Sequence, residues 1–400
     1  MAAFLCESNQ LPVRDTYDVI VAGGGVAGVA AALAARRSGA RTLLLEKSTM
    51  SGGLATLGLV AIYLPLCDGA GRQVSFGLAE ELLKLSVKYG LDTIPEAWKN
   101  GRSGSTERYQ TNFSPAAFVI AIDELLEKEG VEVNYDTVVC RPVMEAGRCT
   151  HLVVENKSGR FAYGCGAVVD ASGDADVFSR AGVPCEKGEN GLTYWTYTVD
   201  QALLRRSLDV ERVMLDNWLD MGGADEYGDC APDAYPKYDG TDDRQVTRFL
   251  VDGRRQLRRE IYEDGARKDR VIVTLPGMAQ MRTTRRIVGA RVIDSADYNK
   301  RFADSVGCVG DWRQAGMVWE IPYGSLYSET CGNLFAAGRC IGAANDAWQA
   351  TRVIPGAAVS GQAAGTAAAL CCREKVSAGA LPVAMLQDAL RRQGVALHAQ

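Results

Sequence analysis

Residues 17–22, Tyr-Asp-Val-Ile-Val-Ala, form a short apolar run that halts at Gly23, Gly24 and Gly25. A run this short, rich in β-branched residues and closed by glycine, predicts a buried strand. From Val26 to Ser38 the apolar positions are small, mostly alanine, and Gly39 follows Arg36 and Arg37. That pattern predicts a helix with a narrow inner face and a glycine stop. Residues 41–46 resume a leucine-rich strand that ends on Glu46. Strand, helix and strand within about thirty residues make a βαβ unit, which requires parallel strands and places the chain among α/β folds.

Further along, the periodicity predicts an amphipathic helix over 77–89 and another over 114–130, with Ser114 as N-cap and Pro115 at its first position. Residues 131–171 switch to short β-runs broken at Glu145-Ala146-Gly147 and Lys157-Ser158-Gly159, a meander followed by a buried strand at 167–170. Beyond Cys185 the chain becomes more polar and carries Trp195, Trp218, Trp312 and Trp319. It returns to an apolar pattern at Asn333 and in the Gly/Ala-rich stretch 354–372. Ser360, Gln362 and Thr366 mark that stretch as a buried helix packed on backbone, not a membrane span. A surface helix is expected over 381–395, and residues 1–16 lack periodicity and suggest a loose lead-in.

At 400 residues the chain exceeds what one core usually supports, so two domains are expected. The pattern assigns 1–188 and 331–400 to a discontinuous Rossmann-like domain, a parallel sheet plus β-meander. An inserted α+β substrate or cap domain then covers 189–330, with part of 62–110. A net charge of -5 leaves no electrostatic footprint for nucleic acid. The Arg254–Arg259 cluster alternates with Glu260, Glu263 and Asp264, as on a solvated helix face. Twelve scattered cysteines without a CxxC pair fit reduced thiols in a cytoplasmic protein. Two histidines, His151 and His398, are too few for a histidine-based metal site, and no metal is expected.

Gly23-x-Gly25-x-x-Gly28 follows the first strand and opens the first helix. Gly23 permits the tight turn, Gly25 admits a pyrophosphate close to the backbone, and Gly28 lets helix and strand touch. The first amides of the helix, at Val26 and Ala27, are then free for phosphate. Glu46 lies eighteen residues past Gly28, placed to accept hydrogen bonds from ribose hydroxyls. This constellation identifies a dinucleotide site without choosing the dinucleotide.

Three further segments narrow the choice: Leu45-Glu46-Lys47 with Ser51-Gly52-Gly53-Leu54-Ala55; Val168-Val169-Asp170-Ala171-Ser172-Gly173-Asp174; and residues 333–339 with Arg352-Val353-Ile354-Pro355-Gly356-Ala357. Together they resemble the glutathione-reductase-type FAD fold, and the chain resembles the FAD-dependent oxidoreductase family related to fumarate reductase flavoproteins. The resemblance implies non-covalent FAD held by Gly23, Gly25, Val26, Ala27, Gly28, Glu46, Lys47, Gly52, Gly53, Leu54, Ala55, Val138, Ala171, Ser172, Gly173, Gly338, Arg339, Arg352, Gly356 and Ala357. It also implies hydride transfer between flavin N5 and a small organic substrate; the alternative is a flavoprotein electron-transfer subunit of a larger complex. The electron partner stays open between oxygen, a quinone, a nicotinamide and a protein. For the reactive end the candidates are Arg282 and Arg285, three apart on a helix or extended turn, with Asp346 and Tyr323. The arginines suit a carboxylate or oxyanion, or equally a clamp between domains.

Overall fold

The computed structural model describes residues 10–90, 108–210, 216–220, 236–263 and 269–399. The chain enters on β1 (Val13–Ala22), turns into α1 (Val26–Arg37) and returns on β2 (Thr42–Leu45). A short pair, β3 (Ile62–Tyr63) and β4 (Thr111–Asn112), brackets α2 (Leu78–Ser86) in sequence; α3 (Pro115–Glu129) leads to β5 (Glu132–Asn134). The antiparallel run β6 (Val138–Glu145), β7 (Arg148–Asn156) and β8 (Gly159–Asp170) follows, then α4 (Asp176–Arg180) and β9 (Cys185–Lys187). The middle of the chain supplies β10 (Tyr194–Val199), α5 (Gln201–Asp209), β11 (Asp216–Asp220), α6 (Asp243–Arg258), β12 (Val271–Thr274) and β13 (Arg285–Ile287). The chain closes with β14 (Ser305–Gly310), β15 (Val318–Pro322), β16 (Leu334–Ala336), α7 (Asn345–Thr351), α8 (Ile354–Glu374) and α9 (Val383–Arg392).

The main sheet runs β5-β2-β1-β8-β7-β6, with β16 also paired to β8. Its β5, β2, β1, β8 and β16 are parallel, and β7 and β6 are the antiparallel meander. This is the α/β, Rossmann-like architecture expected from the βαβ unit, meander included. Two details differ from the sequence expectation. The first strand begins at Val13, inside the supposed lead-in, because Val13 and Thr16 find partners at Ala162 and Gly164. The buried strand at 167–170 does not follow the meander but is the end of its third strand. One half of β8 pairs with β7 and the other with β16. Asn333 ties that junction together: its side chain accepts from the Cys149 amide and donates to the Cys149 and Gly166 carbonyls, each at 2.8 Å.

α3 carries the expected cap, with the Ser114 hydroxyl accepting from the Ala117 amide and Gly130 in the left-handed region at its end. α1 and α8 lie against one another with almost no side chain between them. A Cβ at Gly361 would come within 2.2 Å of the Ala27 carbonyl oxygen, and one at Gly365 within 2.0 Å of that of Ala31. Two four-residue steps thus mesh, and α8 is buried nearly throughout. Among the described residues no helix is long and apolar enough to cross a membrane.

The three-stranded sheet β11-β10-β12 and α6 make a smaller body with its own cores, Leu192, Tyr238, Phe249 and Met281 in one, and Tyr194, Leu257 and Ile261 in the other. Residues 189–330 do not pack as one unit, however. Ile287, Ile293, Phe302, Val306, Trp319 and Ile321 join the main core, because the β14–β15 hairpin lies against α8.

Candidate functional site

The parallel strands end on one side of the sheet, and there the loops enclose a cavity of about 490 Å³. It is lined by Gly23, Gly25, Val26 and Ala27 from the glycine turn, and by Glu46 and Lys47 after β2. Gly52, Gly53, Leu54 and Ala55 come from the next loop, Val138 from the meander, and Ala171, Ser172 and Gly173 from the end of β8. Gly338, Arg339, Arg352 and Ala357 complete it from the C-terminal third. Eighteen of the twenty residues expected to hold the cofactor therefore share one wall. The other two, Gly28 and Gly356, stand behind it: a Cβ at Gly28 would lie 1.8 Å from the Gly23 carbonyl oxygen, and one at Gly356 2.2 Å from that of Thr351.

Gly25 is different. Its backbone, at φ -63° and ψ 174°, suits any residue, and a Cβ there meets no protein atom within 4 Å. The space that its missing side chain leaves is the cavity itself.

Glu46 is 7% exposed and organises the turn. One carboxylate oxygen accepts from the Gly24 amide at 2.6 Å, the other from the Ser48 amide and hydroxyl at 2.8 and 2.7 Å. The Gly52 amide donates to the Gly24 carbonyl at 2.7 Å, folding the second glycine loop onto the first. At the end of β8 the fully buried Asp170 does similar work, accepting from the amides of Ser172, Val177 and Phe178 and from the Ser172 hydroxyl. Burial pushes its carboxyl up to about 6 despite those donors.

Two helices open onto this cavity without a side-chain cap: α1 at Gly25 and α8 at Val353, with Ile354 and Ala357 in the lining. Neither has an acidic residue in its first turn. Unpaired amides and the helix dipole therefore present positive potential at two places in one cavity. Lys47, Arg180, Arg339 and Arg352 add four cations, against Glu46 and Asp176. Arg339 is paired with Asp174 at 2.9 Å, and its Nε is buried without a hydrogen-bond partner. An extended cavity with anion-seeking ends, an orphaned guanidinium nitrogen and a glycine that leaves its space open fits a dinucleotide pyrophosphate.

The deciding comparison is with protein families: the FAD-dependent oxidoreductase family model matches residues 18–201 and 195–390. The chain belongs to the FAD-dependent oxidoreductase family. It is an enzyme of that family, and FAD is its cofactor. It is similar to a thioredoxin reductase of Ureaplasma parvum, 34% identical over 74 residues, 18% of this chain and 24% of that protein. It is also similar to a vinyl phenol reductase of Lactiplantibacillus plantarum, 43% identical over 81 residues, 20% of this chain and 16% of that protein. The chain thus matches under a quarter of either relative's length. Among solved structures it is similar to a p-nitrophenol 4-monooxygenase of Pseudomonas putida, with a TM-score of 0.52 and 14% identity over 96% of this chain and 89% of that one. That likeness is one of fold.

The candidates for the flavoenzyme's reactive end do not gather at one point. Arg282 sits in a bend and Arg285 opens β13, so they share no helix face. The Arg282 amide donates to Asn190 and its guanidinium to Thr193. Arg285 clamps β13 to the turn after β8, donating to the Asp174 carbonyl, Ser179 and Asp176 at 2.7, 2.7 and 2.8 Å. Tyr323 lies in the main core with its hydroxyl donating to the Ala378 carbonyl at 2.8 Å, and burial raises its pKa. Asp346 accepts from Ser295 at 2.6 Å and Arg313 at 2.8 Å, and these partners, Ser295 foremost, hold its carboxyl below the usual range.

Of the tryptophans, Trp319 is core, with its indole donating to Asp311, while Trp348 lines a second cavity described below. The sequence reading missed Leu57, Gly277 and Met278, which line the same cavity as the glycine turn. The Gly277 amide donates to the Leu57 carbonyl at 2.8 Å, bringing the smaller body against the glycine loop. No local motif marks such a contact.

Proposed function

We propose that this enzyme moves hydride between non-covalently bound FAD and a small organic substrate, and that it works in the cytoplasm. The observation that carries the reading is the pair of uncapped helix N-termini opening onto one cavity. α1 serves the diphosphate. α8, with Gly52, Gly53, Arg339 and Arg352 around it, serves the end of the flavin that gains negative charge on reduction. FAD, when bound, supplies the ring that accepts or donates hydride. The chain's own part is to orient that ring, hold charge at its far edge and exclude water. Gly277 and Met278 supply the cover from the smaller body. The loop after Gly53 contains no histidine for covalent attachment, and the scattered cysteines without a CxxC pair support a reducing compartment.

The test is anaerobic mixing of the yellow holoenzyme with a panel of hydroxy acids, saturated acids, sugars, amino acids and NADH, followed by absorbance. Bleaching by one compound class, with the matching oxidised product in stoichiometric yield, is expected. A flavin that dithionite reduces but no organic compound does, and that exchanges electrons only with a protein partner, would favour an electron-transfer subunit and sink the proposal.

A further inference from the structure

A second cavity, about 740 Å³, lies between β9, the segment around Thr283, β13 and α7, lined among others by Glu186, Thr283, Arg286, Asn345, Trp348 and Gln349. Its wall is hydrogen-bonded to the wall of the first cavity. The Trp348 indole donates to the Arg339 carbonyl at 2.8 Å, and Arg352 donates through Nε to the Gln349 amide oxygen at 2.7 Å. Arg339 and Arg352 both line the FAD cavity.

Most charges around the second cavity are neutralised in ordinary surface pairs: Lys187 with Asp239, Lys237 with Glu189, and Asp346 with Arg313. Arg286 is paired as well, with Glu186, but incompletely. Its side chain is only 8% exposed, it lies 5.7 Å from the centre of the Trp348 ring, and its Nη1 is buried without a hydrogen-bond partner. Glu186, directly opposite across the β9–β13 pair, engages Nη2 alone, and the Glu186 side chain is 58% exposed. A guanidinium offers a planar fork that a carboxylate fills with two parallel bonds. Here a buried fork is half filled by a surface acid, and a buried donor left unmet is costly.

We propose that this second cavity binds a small carboxylate, anchored on Arg286, with Glu186 as the side chain that the ligand displaces. The inference stands apart from the hydride-transfer reading above. The Trp348 ring provides an apolar flank for the carbon skeleton beside the anchored carboxylate. Arg286 is a binding residue in this scheme, and Glu186 is its competitor. Replacing the two therefore has opposite consequences for affinity.

The test is calorimetric titration of FAD-loaded enzyme with succinate and benzoate, with benzamide as the uncharged isostere and inorganic phosphate as a second anion. Expected is binding of at least one carboxylate, with benzamide weaker by about tenfold or more. Arg286→Gln should lose about tenfold or more in carboxylate affinity. Glu186→Gln should tighten it about two- to fivefold, since a partly exposed ion pair no longer competes. Should Arg286→Gln fail to fold, the exposed Glu186 variant still decides. No carboxylate binding, equal binding of benzamide, tighter binding of phosphate, or a Glu186→Gln variant that binds no better overturns the proposal. Because binding is measured without turnover, the two readings fail separately. The opposed shifts with no compound reducing the flavin would leave the site standing and sink hydride transfer. Bleaching by uncharged compounds alone, with no carboxylate bound, would do the reverse.

Discussion

Replacing Gly25 by alanine separates what the glycine turn does for the fold from what it does for FAD. The backbone there is in the extended region open to alanine, and the added Cβ meets no protein atom within 4 Å. Restricting the unfolded chain favours alanine by about 0.4–1 kcal/mol, while alanine is a poorer N-cap than glycine by about 0.5–1 kcal/mol. The two offset, so apoprotein stability should stay within about 0.5 kcal/mol of wild type. The FAD complex should suffer, because the methyl occupies the space from which a phosphate oxygen reaches the free amides of α1. Losing one charge-assisted hydrogen bond costs about 1.5–3 kcal/mol, or roughly 10- to 150-fold in Kd. Gly28→Ala is the contrast: its Cβ would lie 1.8 Å from the Gly23 carbonyl oxygen, so the apoprotein itself should lose about 1–3 kcal/mol. Urea unfolding of both apoproteins and titration of FAD by fluorescence quenching read the two quantities. A Gly25→Ala protein that binds FAD as wild type does, or whose apoprotein loses more than about 2 kcal/mol, would refute the assignment of that space to the phosphates.

Asp170 predicts a pH dependence of stability. Its carboxyl is raised in the fold from 3.8 to about 6, so the stability it contributes is complete below about pH 4 and lost as pH rises through 6. The change amounts to roughly 3 kcal/mol at most. The stability of wild type relative to Asp170→Asn, from urea unfolding, should therefore shrink between pH 4 and 7; a constant difference would contradict it. Gly365→Val tests the α1–α8 contact. With Ala31 oxygen 2.0 Å from the added Cβ, the helices must part, lowering stability by about 1–3 kcal/mol or more in thermal melts. An unchanged melting temperature would mean that the close approach is not required.

Legibility in the sequence followed locality. The βαβ unit, the glycine turn, Glu46, the Ser114 cap and the buried Gly/Ala helix each depend on residues within one or two dozen positions. A period of 2 or 3.6 and a cap at fixed offset are enough to reveal them. Most residues expected to hold the cofactor line one cavity for a related reason: they lie in turns at strand ends, several of which carry glycines. The reactive end had no such signature. Arg282 and Arg285 attract attention in the sequence by spacing alone. Yet Arg285 is spent on the Asp174–Ser179 turn over a hundred residues away, while Arg286, its neighbour, faces the second cavity with a half-filled fork.

The amino-acid pattern by itself determined the parallel α/β layer, the glycine turn that opens α1 and the acid one strand over, since all are encoded in short-range periodicity. Only the tertiary structure decided that β8 serves both meander and parallel sheet, and that residues after 287 return to the main core. It alone placed a buried guanidinium opposite an exposed glutamate at the second cavity. Those outcomes turn on which distant surfaces meet, and burial energy, unlike backbone periodicity, leaves no mark at a fixed spacing along the chain.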